Sequence, residues 1–435
     1  MMMSSLIERD LNHIWHPCAQ MKDYAAFPPL EVVGAQGSYI ELSDGRKIID
    51  AISSWWCKSL GHQHPRLKKA LLQQVERFEH VLLAHTTHAI IVELSEKLAK
   101  LTLHLNKVMY ASDGSCAVEI AMKMSLHARQ VQGQSHRTQF IALENAYHGE
   151  TVGALSVSDL GMYRQPYLPL LFNTHWLTNL PYVESSQDPL WDNCELHWRA
   201  IEKQLKPLSE TTTAILVEPI VQGAAGMKIY SRDFLKRLRA FATRHDIHLI
   251  ADEIMTGIGR TGKMLACDHA GIEPDFLCLA KGLASGWLPL SAVLTSQAMY
   301  DVFYDDYASG KSFLHSHTHS GNALAASVAN EVLAIMQEER LCERAAAMGD
   351  IMRNHLQDIA DRTQRLTKVR ALGAIAAADI IPSSPQERAG FAVYQKASQL
   401  GAILRPLGNT IYWLPPLTTD DETLLKLKEI TEKAL

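Results

Sequence analysis

The amino-acid sequence predicts an α/β fold: a large domain over residues 65–329 with a mostly parallel seven-stranded sheet, and a smaller α+β domain built from residues 1–64 and 330–435. Three observations carry this expectation. Short apolar runs recur through the middle of the chain, each followed by a stretch with helical spacing, the pattern of a parallel sheet covered on both faces. No internal repeat or low-complexity linker interrupts that recurrence. The C-terminal quarter then changes character and mixes helical and strand-like segments.

The runs are KVMYA (107–111), QFIAL (139–143), TAILVE (213–218), IHLIA (247–251), DFLCLA (275–280) and SAVLT (291–295), with LFNTHWL (171–177) as the seventh. Between them, CAVEIAMKMSLHARQ and RDFLKRLRAFATRH place apolar residues three and four apart, which predicts amphipathic helices. Beyond residue 329 the expected order is a helix through SVANEVLAIM, a strand near VRALGAIAAADII, a helix over AGFAVYQKASQL and the segment AILRPLGNTIYWLPP. Near the N-terminus SYIELSDGRKIIDAI reads as a hairpin packed against that C-terminal region.

Composition narrows the function. The 435 residues carry 42 Lys and Arg against 47 Asp and Glu, a net charge of −5. No basic face for nucleic acid follows from that balance. No apolar run reaches the roughly 18 residues of a membrane helix, and the N-terminal stretch lacks the apolar core of a signal peptide, so a cytoplasmic protein is expected. Seven cysteines, without a C-x-x-C pair, fit a reducing compartment.

In open α/β sheets ligands bind beyond the C-terminal ends of the strands. After IHLIA comes DEIMTGIGRTG, in which Gly257 to Gly262 match the G-x-G-x-x-G spacing of dinucleotide sites. The residues after Gly262, KMLACDHAGIEPD, have no helical period, so the helix that would hold a pyrophosphate is missing and the glycines are expected to shape a tight loop. Asp252 in the same stretch is an acid at a strand end, which needs a partner. Lys281 ends DFLCLA and is followed by GLASG; a buried lysine amine there is a candidate Schiff-base nucleophile. Gly114 and Ser115 open a helix after KVMYA, where free N–H groups and the helix dipole favour an anion. Tyr147, after QFIAL, can stack on a planar ring. Phosphate cradle, stacking aromatic, buried acid and strand-end lysine are together the parts that pyridoxal 5'-phosphate requires.

Through DGSCAVEIAMKM, YHGE, VEPIVQGAAGM, ADEIMTGIGRTGK and PDFLCLAKGL, in that order, the sequence resembles the class III, fold type I pyridoxal-phosphate-dependent aminotransferases, over essentially its whole length. The resemblance implies that Lys281 carries the cofactor and shuttles the proton, and that Asp252 keeps the pyridine nitrogen protonated. It implies that Gly114 and Ser115 bind the phosphate, that Tyr147 stacks on the ring and borders the substrate, and that Glu218 and Gln222 line the site. Thr318, with His317 beside it, would reach the cofactor of a neighbouring subunit, and hence a homodimer with shared sites is implied. Trp55, Trp56, Arg260, Ser316 and Arg405 would contact substrate, Arg405 as the bidentate partner of a carboxylate. Within the family HIWHP, ISSWW, GHQHP, IVQGAAGM and RPLGNTIYWLPP are most similar to the branch that passes the amino group of S-adenosylmethionine to 8-amino-7-oxononanoate in biotin synthesis.

Three positions depart from that pattern: Cys18 stands where a tyrosine is expected, Glu150 where aspartate is, and Ser316-His317 where Gly-Pro precedes Thr318. The last feature resembles relatives that use lysine as donor, and an ω-amino-acid or polyamine aminotransferase is the other alternative. His315, His317 and His319 alternate as a metal site can, but no acid or cysteine cluster accompanies them and no metal is expected.

Overall fold

The computed structural model describes residues 5–384 and 386–435; residues 1–4, where the expected small domain begins, lie outside it. The central sheet has seven strands: β1 Lys107–Ala111, β2 Gln139–Leu143, β3 His175–Leu177, β4 Thr212–Val217, β5 His248–Asp252, β6 Phe276–Leu279 and β7 Ser291–Thr295. Their order across the sheet is β1-β7-β6-β5-β4-β2-β3. All neighbours run parallel except β7, which is antiparallel to both β6 and β1. Six expected runs therefore land on the observed strands, with shifts of a residue or so at the ends of β4, β5 and β6, while of the seventh run, LFNTHWL, only His175–Leu177 is strand.

The reason is burial on both faces. Every residue of β4, β5, β6 and β7 is buried, so their sequences are nearly continuous apolar runs. Helix α1, Gly114–Val131, packs Ala117, Val118, Ile120 and Ala121 against one face, capped at its start by Asp113, whose side chain accepts from the Cys116 N–H at 3.0 Å. Helix α2, Arg232–Arg244, covers the other face with Phe234, Leu238 and Phe241. His248, at the head of β5, places an imidazole in this core. Its Nδ1 meets the Ser125 hydroxyl at 2.8 Å, and burial pushes its pKa down to about 4.

The C-terminal region differs from expectation in three elements: two helices that were not expected, Leu341–Thr363 and Asp421–Ala434, and a hairpin in place of a single strand. VRALGAIAAADII is two antiparallel strands, Leu366–Ala371 and Ala376–Ile380, where one was expected. Gly373 makes the reversal with φ +56°, and a Cβ there would lie 2.2 Å from the backbone of Thr261. Strand Ala376–Ile380 pairs in turn with Thr410–Trp413. The N-terminal hairpin, Tyr39–Leu42 and Lys47–Asp50, forms as expected, and Lys47–Asp50 pairs in parallel with Ala402–Ile403. The expected boundary at 329/330 falls inside one continuous helix, Ala323–Glu338.

Candidate active site

The ends of β1, β2, β4, β5 and β6 converge on a cavity of about 470 Å³, lined by Ser112 to Ser115, Tyr147 to Gly149, Glu218, Asp252, Trp56 and Lys281 among others. Lys281 follows the buried end of β6 after one residue, Ala280, and has φ +35°, and its amine stands 4.7 Å from the centre of the Trp56 ring. Burial drives the amine below its usual range, while the carboxylates of Asp252 and Glu218 pull it back.

Asp252 at the end of β5 accepts the Ile254 N–H on Oδ1 at 3.1 Å and faces Nδ1 of buried His148 with Oδ2 at 2.8 Å. The other ring nitrogen of His148, Nε2, is buried without a hydrogen-bond partner. Glu218 accepts the N–H groups of Tyr147 and Gly223, both at 2.9 Å. Burial nevertheless raises its carboxyl to about 7. Tyr147 donates its hydroxyl to Glu150 at 3.1 Å, and burial lifts the phenol well above its ordinary value. Ser115, second residue of α1, accepts the Glu150 N–H at 3.3 Å and lies so close to Gly149 that a Cβ there would sit 2.0 Å from the Ser115 hydroxyl.

A second cleft, of about 690 Å³, opens beside the first between the N-terminal segment and the C-terminal region, and its lining includes Cys18, Trp55 and Arg405. The Arg405 guanidinium lies 4.5 Å over the Trp55 ring and donates to the Cys18 carbonyl at 2.8 Å. Cys18 Sγ is 3.2 Å from the hydroxyl of Tyr163, which puts a phenol next to the position where the chain lacks one. Trp55 and Trp56 thus wall different chambers, Trp56 being fixed by a hydrogen bond from Nε1 to the Tyr412 hydroxyl at 2.9 Å.

Other expected site residues lie elsewhere. Arg260 is buried and donates to the carbonyls of Pro415 at 2.6 Å and Ala374 at 3.3 Å; these bonds hold its charge in the interior, and it lines neither cleft. Its loop packs against the turn at Gly373, through the Ala374 N–H to the Arg260 carbonyl at 2.9 Å. Gln222 bridges the Tyr182 hydroxyl and the Glu144 carbonyl behind the cavity. Past Gly262 the chain forms a four-residue 3-10 turn, Ala266–His269, so no helix starts from the glycines of the G-x-G-x-x-G stretch, and Gly259 and Gly262 instead pack against Met336 and Ala346 of two C-terminal helices.

Ser316 and Thr318 are exposed on the surface of the chain, and His80 binds the Thr318 carbonyl at 2.8 Å. His315 and His317 face each other with Nε2 atoms 2.9 Å apart, Lys123 reaches His315 Nδ1 at 2.8 Å, and the His319 ring turns to His80. His148 was missed in the sequence although it directly follows Tyr147. An acid expected to need a partner at the end of β5 pointed to it.

These residues fit pyridoxal phosphate. The cavity has a helix start for the phosphate, an acid backed by a buried imidazole with one free ring nitrogen, and a desolvated lysine amine. Residues 20–435 match the family described as aminotransferase class-III. The chain belongs to the class-III aminotransferases, which depend on pyridoxal phosphate. It is 41% identical, over 97% of its length and 95% of the relative's, to the adenosylmethionine-8-amino-7-oxononanoate aminotransferase of Helicobacter pylori. The crystal structure of the enzyme of that name from Methanocaldococcus jannaschii superposes with a TM-score of 0.91 at 31% identity, covering 99% of this chain and 98% of that one. An amine transaminase from an uncultivated Pseudomonas species, in its PLP-bound form, superposes with a TM-score of 0.89 at 30% identity, covering 97% and 98%.

Proposed function

We propose that this enzyme transfers the amino group of S-adenosylmethionine to 8-amino-7-oxononanoate, giving 7,8-diaminononanoate for biotin synthesis. The observation that carries the reading is the 41% identity to the Helicobacter enzyme along nearly the whole of both chains. Fold alone does not separate the alternatives, because an amine transaminase superposes almost as well.

Pyridoxal phosphate, when bound, supplies an aldehyde carbon that condenses with amines and a ring that takes up electrons as the neighbouring C–H bond breaks. Lys281, neutral more readily than a solvated lysine, presents Nζ as nucleophile and then as the base that takes and returns the proton. Asp252, its carboxylate oriented by His148, would hold a proton on the ring nitrogen. Ser115 and the first N–H groups of α1 would hold the phosphate, and Tyr147 and Glu218 would border the ring. Trp56 keeps water from the Lys281 amine. Arg405, over Trp55, takes a substrate carboxylate in the adjoining cleft.

The pairing of Ala402–Ile403 with Lys47–Asp50 supports a small domain that unites the N-terminal segment with the C-terminal region, the helix Ala323–Glu338 linking it to the large domain. We also place the enzyme in the cytoplasm, where its seven cysteines, all free thiols, suit the reducing environment. The exposure of Thr318, away from the cavity of its own chain, supports a homodimer in which it and His317 serve the neighbouring cofactor and Ser316 the neighbouring substrate. The departure at Ser316-His317 makes lysine the alternative donor to test, although the names of the relatives do not favour it. The test is to mix the loaded enzyme with 8-amino-7-oxononanoate and either S-adenosylmethionine or lysine. Diaminononanoate is expected with the first; product with lysine alone reassigns the donor, and product with neither refutes the reading.

A further inference from the structure

Four consecutive residues, Ser53, Ser54, Trp55 and Trp56, have positive φ, of +50°, +44°, +73° and +73°. In this region the Cβ of an L-residue crowds the following carbonyl oxygen, so non-glycine residues enter it singly. A run of four must be held by its surroundings. Besides backbone bonds such as the Trp56 N–H to the Ile52 carbonyl at 2.8 Å, a side-chain hold comes from Asp50, the buried last residue of strand Lys47–Asp50. Its Oδ1 accepts the Ser54 N–H at 2.9 Å, and its Oδ2 accepts the Ser54 hydroxyl at 2.7 Å while facing His62 Nε2 at 2.8 Å. Ser53 adds a bond to the Leu414 carbonyl at 2.7 Å. Burial alone would raise the Asp50 carboxyl, but the hydrogen bonds from His62 and Ser54 outweigh it and keep the group ionised.

The result of this turn is that two successive indoles enter two different chambers, Trp55 beneath Arg405 and Trp56 beside the Lys281 amine. We propose that Asp50, oriented by His62, is a positioning residue for substrate binding: its carboxylate holds the left-handed turn at 53–56 and thereby sets Trp55 against Arg405 and Trp56 against Lys281. Asp50 lines neither chamber, so it acts through the turn and not by touching substrate. The inference rests on reading Trp55 and Arg405 as walls of the substrate cleft.

The test compares cofactor-loaded wild type with Asp50→Asn, which keeps size and removes charge, and with Asp50→Ala. With 8-amino-7-oxononanoate varied, KM is expected to rise about tenfold in Asp50→Asn, and further in Asp50→Ala, while kcat falls much less. In protein labelled with 5-fluorotryptophan, the fluorine NMR lines of Trp55 and Trp56, assigned with Trp55→Phe and Trp56→Phe, are expected to shift or broaden while that of Trp191 stays. Glycine adopts positive φ freely, so adding Ser54→Gly to Asp50→Asn is expected to return KM most of the way to the wild-type value. An unchanged KM, unmoved fluorine lines, or no recovery with Ser54→Gly would each overturn the proposal and leave Asp50 a stabilising residue only. Should wild type itself fail to convert 8-amino-7-oxononanoate, the proposed function fails, and the fluorine lines still decide the role of Asp50.

Discussion

Gly149→Ala tests how tightly the phosphate cradle is built. Gly149 has φ +126°, and a Cβ added there would lie 2.0 Å from Ser115 Oγ, 2.8 Å from Ser115 Cβ and 3.1 Å from Ser115 Cα. The backbone conformation costs an alanine roughly 1–3 kcal/mol, and forcing a carbon into the packed contact adds about 1–3 kcal/mol. The loss of stability expected for Gly149→Ala is therefore on the order of 2–6 kcal/mol. Urea unfolding of the cofactor-free protein measures it. The steric share can be separated by a double-mutant cycle. Ser115→Ala removes only the 2.0 Å contact and leaves Cβ at 2.8 Å, so its recovery should be small; Ser115→Gly removes both and should recover most of the steric share, leaving the backbone share. A coupling between positions 149 and 115 within about 0.5 kcal/mol of zero would refute the reasoning.

Lys281→Ala should abolish turnover with either donor while the apo protein still binds pyridoxal phosphate, measured by equilibrium dialysis; turnover retained at the wild-type rate would name another lysine. Arg405→Ala should raise KM for a carboxylate-bearing substrate roughly tenfold to a hundredfold, with little change in the thermal midpoint, and steady-state kinetics checks it. His248 gives a pH prediction. Its folded pKa, about 4, lies below the unfolded value of about 6.5, so the unfolded chain takes up the proton first as pH falls. The stability this neutral imidazole contributes is full above about pH 6.5 and is lost progressively toward pH 4, about 3 kcal/mol in all. In urea unfolding measured across that range, His248→Asn should show a shallower decline than wild type, and identical slopes would exclude the assignment.

The strands were legible because each is buried on both faces, and near-continuous apolar runs such as SAVLT have few other uses. Lys281 and Asp252 were legible for the related reason that a charge at the end of such a run needs a purpose. The single strand expected near VRALGAIAAADII became a hairpin because its turn is pressed against Thr261, a contact between residues more than a hundred positions apart in the chain. The carbonyl acceptors of Arg260, at Ala374 and Pro415, likewise lie far along the chain and were not legible in the sequence. The turn at 53–56 could not be seen at all. Serine and tryptophan have no preference for positive φ, and the residue that holds them there, Asp50, looks in the sequence like the end of an ordinary hairpin.

The reversed strand β7 has a mechanical consequence. Because it runs opposite to β6, the segment 280–290 leaves and re-enters the sheet on the same rim, and Pro289 and Leu290 line the same cavity as Lys281. A crossover helix would have made this segment long and free to drift. Here the segment is a short strap anchored at both ends by hydrogen-bonded neighbours. The backbone of Lys281 is thus a fixed pivot, and the travel that group transfer demands is left to the four methylenes of one side chain.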